Sequence, residues 1–164
     1  PERAPMVRGW IADSIAKAGG DPVKKYDHAI AIAAQELRDG SISGDPADSL
    51  RDLRENTFPY QADVANRYGL DLIMYEGGTH VTGIAEILDD AELTKFYTAL
   101  NYAPEMGALY TELQQIWHDA GGRMFNAYAD VAMPGMWGSW GGLRHLADDN
   151  PRWRALTGML ESDS

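Results

Sequence analysis

The sequence predicts an α/β fold rich in helix, and three observations carry the prediction. A short, largely apolar run, Leu70-Asp71-Leu72-Ile73-Met74-Tyr75, is bounded by Gly69 and Gly77-Gly78, as a buried strand would be. A second run, Arg123 to Val131, alternates imperfectly and suits another strand. Apolar residues at helical spacing occupy the stretches before, between and after these runs. The order is helix, strand, helices, strand, helix, which is the grammar of a β/α protein.

Each element has its own local signals. Asp21-Pro22 reads as an N-cap followed by proline at the first helical position, with Tyr26, Ile30, Ala33 and Leu37 on one face and Gly40 as the stop. Asp45-Pro46 repeats the start signal for a helical pattern through Leu50, Leu53, Val64 and Tyr68. Pro59 kinks or divides it and Gly69 ends it. In the strand at 70–75, Leu72, Met74 and Glu76 share one face and Ile73 and Tyr75 the other. Both faces are apolar, so the strand is expected to be covered on both sides. Asp89 or Asp90 can cap a helix carrying Leu93, Phe96, Tyr97 and Leu100. Pro104 opens another with Met106, Leu109, Tyr110, Leu113, Ile116 and Trp117 on its apolar face, and Gly121-Gly122 follows it. Pro134 to Gly142 is a loop rich in glycine and tryptophan. Asn150-Pro151 starts a last helix with Trp153, Leu156 and Leu160. No internal repeat or low-complexity stretch interrupts the 164 residues, which read as one segment, 1–164.

Composition narrows the function. The formal net charge of −11 argues against non-specific binding to nucleic acid or to an anionic membrane, both of which need a basic face. It fits a protein that must stay in solution, or one that works on neutral or cationic partners. No apolar run approaches the ~20 residues needed to cross a bilayer. Cysteine is absent, so neither a disulfide framework nor thiolate chemistry is open to the chain. The chain opens Pro1-Glu2-Arg3-Ala4-Pro5 without an initiator Met, as a processed, trimmed or excised segment would. No Walker motif, dinucleotide fingerprint or Gly-x-Ser-x-Gly elbow is present, and no cofactor is implied.

Two constellations can carry chemistry. In Tyr75-Glu76-Gly77-Gly78-Thr79-His80 a carboxylate stands at a strand end, glycines let the backbone turn and leave room for a ligand, and a histidine follows four residues on. Glu76 can serve as nucleophile or general base, or it can simply bond its own turn. His80 can orient a substrate or act as an ordinary hydrogen-bonding partner. Together they lack a third ligand at metal-binding spacing. His28, His118 and His145 are scattered and read as structural.

The second constellation is Met136-Trp137-Gly138-Ser139-Trp140-Gly141-Gly142. Two indoles among small residues can form an apolar wall with N–H donors at its edge, which suits the C–H face and hydroxyl rim of a sugar. They can equally plug the end of a core. The glycines favour a ligand surface. Asn101-Tyr102 and Glu105 lie in a break between helices, where they line the same cleft or cap the helix at Pro104. Asp130 ends the second strand, facing the same end of a parallel sheet as Glu76, or it is a solvated loop residue.

Read together, "GLDLIMYEGGTHV", "WHDAGGRMFNAYAD" and "MWGSWGGLRHL" resemble the C-terminal part of a clan A-like (β/α)8-barrel glycoside hydrolase, over residues 45–160. The resemblance implies a partial (β/α)8 (TIM) barrel. Strand seven would span 70–76, helix seven 104–120, strand eight 123–130, helix eight 150–161, and helix six would lie within 46–68. It implies Glu76 as the nucleophile, with Tyr75 and His80 orienting it. It also implies a carbohydrate ligand held by Trp137 or Trp140.

The chain departs from that family. A full barrel has about 250 residues and eight strands, and no Asn-Glu acid/base strand end precedes Glu76. A retaining mechanism needs two carboxyls about 5 Å apart, and Asp130 could serve only as an unorthodox second group. The resemblance therefore implies a segment inactive without the remaining half of the barrel, on another chain or in a longer parent, with an apolar face exposed in its absence. The alternatives are a non-catalytic carbohydrate-binding module and a structural or interaction subunit of a larger assembly.

Overall fold

Helix α6, Pro104–Asp119, is the hub of the structure. A computed structural model describes residues 3–162, with side chains through Gly158. Pro1, Glu2 and the side chain of Leu160 lie outside the described set. Met106, Leu109, Tyr110, Ile116 and Trp117 of α6 are all buried. The helix packs against the other elements from several directions at once.

Before α6 come α1 (Ala4–Ala18), α2 (Asp27–Asp39), a three-residue turn α3 (Leu50–Asp52), a π-helical turn over Leu53–Thr57, α4 (Phe58–Arg67), strand β1 (Leu72–Gly77) and α5 (Ala91–Asn101). After it come β2 (Gly122–Ala127) and α7 (Pro151–Ser162). Small residues let α1 and α2 approach closely. Ala29, Ala33 and Ala34 are buried, and the Ser14 hydroxyl accepts from the Ala29 N–H at 3.2 Å. On α5, Leu93, Phe96 and Leu100 are fully enclosed, each contributing about 2 kcal/mol by removal from water. Where α6 meets α7, a Cβ on Gly107 would stand 2.8 Å from the Pro151 carbonyl, so only glycine permits the contact.

β1 and β2 form a two-stranded parallel sheet, connected through α5 and α6. Leu72, Met74 and Phe125 pack toward the helices. The other face, with Ile73, Tyr75 and Met124, is open to solvent. This corrects the expectation that β1 is covered on both sides. The register also shifts between Met74 and Gly77, so the alternation breaks there. Gly77 lies against the Phe125 ring beside Met74, and Glu76 does not continue the Leu72–Met74 face as expected; it is exposed.

The fold is an α-rich domain with one small parallel sheet, not a partial (β/α)8 barrel. The physical reason is the placement of α1 and α2. Their apolar residues join the same core cluster as α5 and α6, so helices close the core without further strands. Two local signals also shift. Asp21 caps a turn, accepting from the Val23 N–H at 2.9 Å, and α2 begins only at Asp27. Asp45 likewise holds a turn through the Ala47 N–H, and Ser49 is the N-cap of α3.

Candidate functional site

The C-terminal ends of β1 and β2 lie side by side, and the chain after each strand builds the site. Ligands of open α/β sheets bind outside this end of the strands. The Tyr128 N–H donates to the Gly77 carbonyl at 3.0 Å, so the backbone just past Glu76 abuts the backbone leaving β2. The Tyr128-Ala129 peptide is cis. From there the chain folds back on itself. Ala129 donates to the Trp140 carbonyl at 2.9 Å, and Gly142 donates to the Ala129 carbonyl at 2.8 Å. At its tip, Gly135 and Gly138 exchange backbone hydrogen bonds at 3.0 Å. The tryptophan loop is therefore a pinned hairpin-like ribbon.

Three aromatic rings meet in this ribbon's lee. His80 lies 5.0 Å from Trp140 between ring centroids, and Tyr128 meets Trp140 edge-on at 5.9 Å. The Trp140 indole N–H donates to the Trp137 carbonyl at 3.0 Å, so that donor is already used. Trp137 itself is 69% exposed. The two indoles thus differ: Trp140 is a partly buried foundation and Trp137 an exposed apolar plate.

The glycines of this loop have packing reasons. A Cβ on Gly138 would lie 2.7 Å from the Trp140 ring, and one on Gly141 2.3 Å from the Ala132 nitrogen. Gly135 is the exception, with open space where a Cβ would stand, so packing explains part of the loop's glycine content.

The loop after β1 is tied to the tryptophan loop. Thr82 donates its hydroxyl to the Met136 carbonyl at 3.3 Å. Asn101 is 1% exposed, and its amide group donates to the carbonyls of Val81 and Tyr97 at 3.1 and 2.8 Å. Its place is beneath the site rather than in it. Glu76 and Tyr75 are exposed on the last turn of β1, the Tyr75 carbonyl accepting from Asn126 at 2.7 Å. Asp130 turns onto its own loop, accepting from the Val131 N–H at 2.8 Å. The structure thus brings His80 and Trp140 together, sets Trp137 beside them, and leaves Asn101 as a support.

Sequence reasoning missed Tyr128 and Arg152. Tyr128 belongs to no motif of its own in the sequence, although its position after β2 and before Asp130 puts it at the same sheet end as Glu76. Arg152 is 1% exposed and donates to the Ser139 carbonyl at 2.8 Å and to the Gly141 carbonyl. No local signal distinguishes it from a surface arginine at a helix start. Among the described residues, no group of three His, Asp or Glu side chains is gathered to hold a metal ion. No described helix is long and apolar enough to cross a membrane.

Comparisons with protein-family models, curated proteins and solved structures gave no match to this chain.

Proposed function

We propose that this chain is a carbohydrate-recognising segment of glycoside-hydrolase type, catalytically incomplete by itself. The observation that carries the reading is the cluster of His80, Trp140 and Tyr128 beside the exposed Trp137, at the C-terminal end of two parallel strands. An exposed indole on a hydrogen-bonded ribbon offers a sugar's C–H face a rigid apolar plate, and the imidazole beside it can bond a hydroxyl rim. The chain's net charge of −11 favours neutral saccharides over acidic ones.

Within this reading Glu76 is the nucleophile, being the next-to-last residue of β1 and exposed at the same sheet end. As a retaining nucleophile it would attack the anomeric carbon, forming a glycosyl ester, while the departing oxygen took a proton from a second carboxylic acid. Asp130 is a poor source of that proton, because its carboxylate is engaged by its own turn. Binding without turnover is therefore the activity expected of the chain alone.

Titration with neutral oligosaccharides, followed by tryptophan fluorescence and calorimetry, tests the reading. Saturable binding that Trp137→Ala abolishes supports it. Absence of binding across hexose and pentose oligomers would refute it. Turnover by the wild type that survives in Glu76→Gln would remove the nucleophile assignment.

A further inference from the structure

Behind the loop of residues 78–81 lies an open cleft of about 830 Å³, a volume in the range of small-molecule sites. Its floor is apolar, built from Leu50, Leu53, Met106, Leu109 and Leu113, and Val81 and Ile84 form a wall. The charged residues along the cleft are Arg3, Glu36, Asp45 and Asp48, of which Glu36 is buried. The Arg3 guanidinium bonds Glu36 at 3.0 Å and Asp45 at 3.1 Å. Glu36 has no free capacity, since it also accepts from the Ile42 and Ser43 N–H groups and the Ser43 hydroxyl. With Asp48 also lining the cleft, the carboxylates outnumber the guanidinium, which disfavours anionic ligands.

Three buried polar side chains line this space: Glu36, whose carboxylate is saturated, Ser49, whose hydroxyl donates to the Pro46 carbonyl and accepts from the Asp52 N–H, and Tyr110. Tyr110 is 4% exposed and lines the cleft. Its hydroxyl oxygen accepts the Thr79 N–H at 3.1 Å, which leaves the hydroxyl proton to donate. Gly78 permits this approach, because a Cβ there would stand 2.8 Å from the same oxygen. His80 lines the cleft and also rests on Trp140, so it is a wall shared with the aromatic cluster.

We propose that the cleft takes the uncharged apolar portion of the ligand, an aryl or terpenoid aglycone bearing one oxygen for Tyr110. This rests on the carbohydrate reading: the sugar lies on the indole side of His80 and the apolar body behind it. Floor and hydroxyl together resemble the chemistry of a phenol or a terpene alcohol, not that of a second sugar, which would leave its hydroxyl groups unpaired against five apolar side chains.

The test uses 2-naphthol and its β-glucoside, β-galactoside and β-xyloside as probes, measured by calorimetry on the full chain. Wild type is expected to bind 2-naphthol. Ile84→Asp, at a half-exposed site that tolerates substitution, and Tyr110→Phe should each weaken it about fivefold or more, the latter by loss of one hydrogen bond. Trp137→Ala should leave naphthol affinity unchanged. Failure to bind naphthol, or binding indifferent to Ile84→Asp, overturns the cleft as an apolar site. Naphthol binding as expected, with no glycoside binding more tightly than naphthol itself, refutes the link to a sugar while the cleft stands. A thermal melt of each variant confirms that the fold is intact.

Discussion

Arg152, in the first turn of α7, reaches the side-chain oxygen of Asn101 at 3.3 Å from within the protein. The pair joins three segments that are distant in sequence. Asn101 holds the loop after β1 through the Val81 carbonyl, and Arg152 holds the tryptophan loop through Ser139 and Gly141. The guanidinium also lies 4.5 Å from the centre of the Tyr102 ring, so carbonyl dipoles and a π face, not a carboxylate, surround its charge. Burial pushes the Tyr102 phenol up, and the nearby Arg152 and Arg144 oppose that push.

Arg152→Met should therefore strip the donor from the Ser139 carbonyl and the Asn101 side-chain oxygen, while the Gly141 carbonyl keeps the Tyr102 hydroxyl. The expected loss is about 3 kcal/mol of stability, read from urea unfolding. Arg152→Lys should recover less than half of it, because an ammonium cannot fork to Ser139, Gly141 and Asn101 together. Equal stability of Met and Lys variants with wild type would show that the strut is dispensable.

The two indoles should respond differently to truncation. Trp137→Ala is expected to change stability by less than about 0.5 kcal/mol, as exposed substitutions do. Trp140→Ala removes the ring that His80 and Tyr128 pack on, and about 2 kcal/mol is expected. Paired thermal melts measure the contrast.

Gly122→Ala is a steric test of the junction between α6 and β2. A Cβ there would lie 2.1 Å from the Trp117 indole, which is buried and edge-on to Phe58 at 5.2 Å. Overpacking of this kind costs about 1–3 kcal/mol. At Gly121 nothing stands in the way of a Cβ, but φ is +84°, so Gly121→Ala should cost about 1 kcal/mol through backbone strain alone. Chemical denaturation of both variants separates the two mechanisms.

Acid should loosen the segment leading into α7. Arg144 bonds the Asp148 carboxylate through its guanidinium and its backbone N–H, and Asn150 adds a third group. The Arg144 guanidinium, chiefly, holds the Asp148 carboxyl well below the usual carboxylate range. A depressed folded value means that the contribution is complete above the unfolded value of about 3.9 and is lost as pH falls through the folded one. Asp148→Asn should therefore be less stable than wild type at neutral pH, with the gap narrowing below about pH 4. Urea midpoints across that range measure it.

What the sequence made legible was local. The Asp90 side chain caps α5, accepting from Glu92 and Leu93 at 3.0 and 2.9 Å, and Asn150 does the same for α7 through the Trp153 N–H at 3.0 Å. Pro104 opens α6, and Gly40 closes α2 with φ +68°. Each signal acts within a few residues of itself. Asp21-Pro22 shows the limit, since the same side chain can cap a turn or a helix and only the following residues decide. Helix α1 could have been read from Val7, Ile11 and Ile15, whose spacing is helical.

The rest depends on layers. Ile73 and Tyr75 look like core residues in sequence, yet whether a strand's second face is covered depends on elements elsewhere in the fold. The bulge that turns Gly77 toward Phe125 and leaves Glu76 exposed is a property of the strand pair. The role of Arg152 needs three loops to converge. Of the candidate site, the His80 and Trp140 pairing required the two strand ends to be adjacent, which the parallel reading implied but could not locate.

The bare side of the β1–β2 ribbon governs how this protein behaves at high concentration. In a two-stranded sheet each strand has one edge with no neighbouring strand, and Ile73, Tyr75 and Met124 are exposed beside it, so a second molecule can add to the sheet there. Mutual repulsion at neutral pH holds molecules apart. It vanishes near the isoelectric point of about 4.6, where turbidity should rise first, and charged residues placed at 73 or 75 should suppress it.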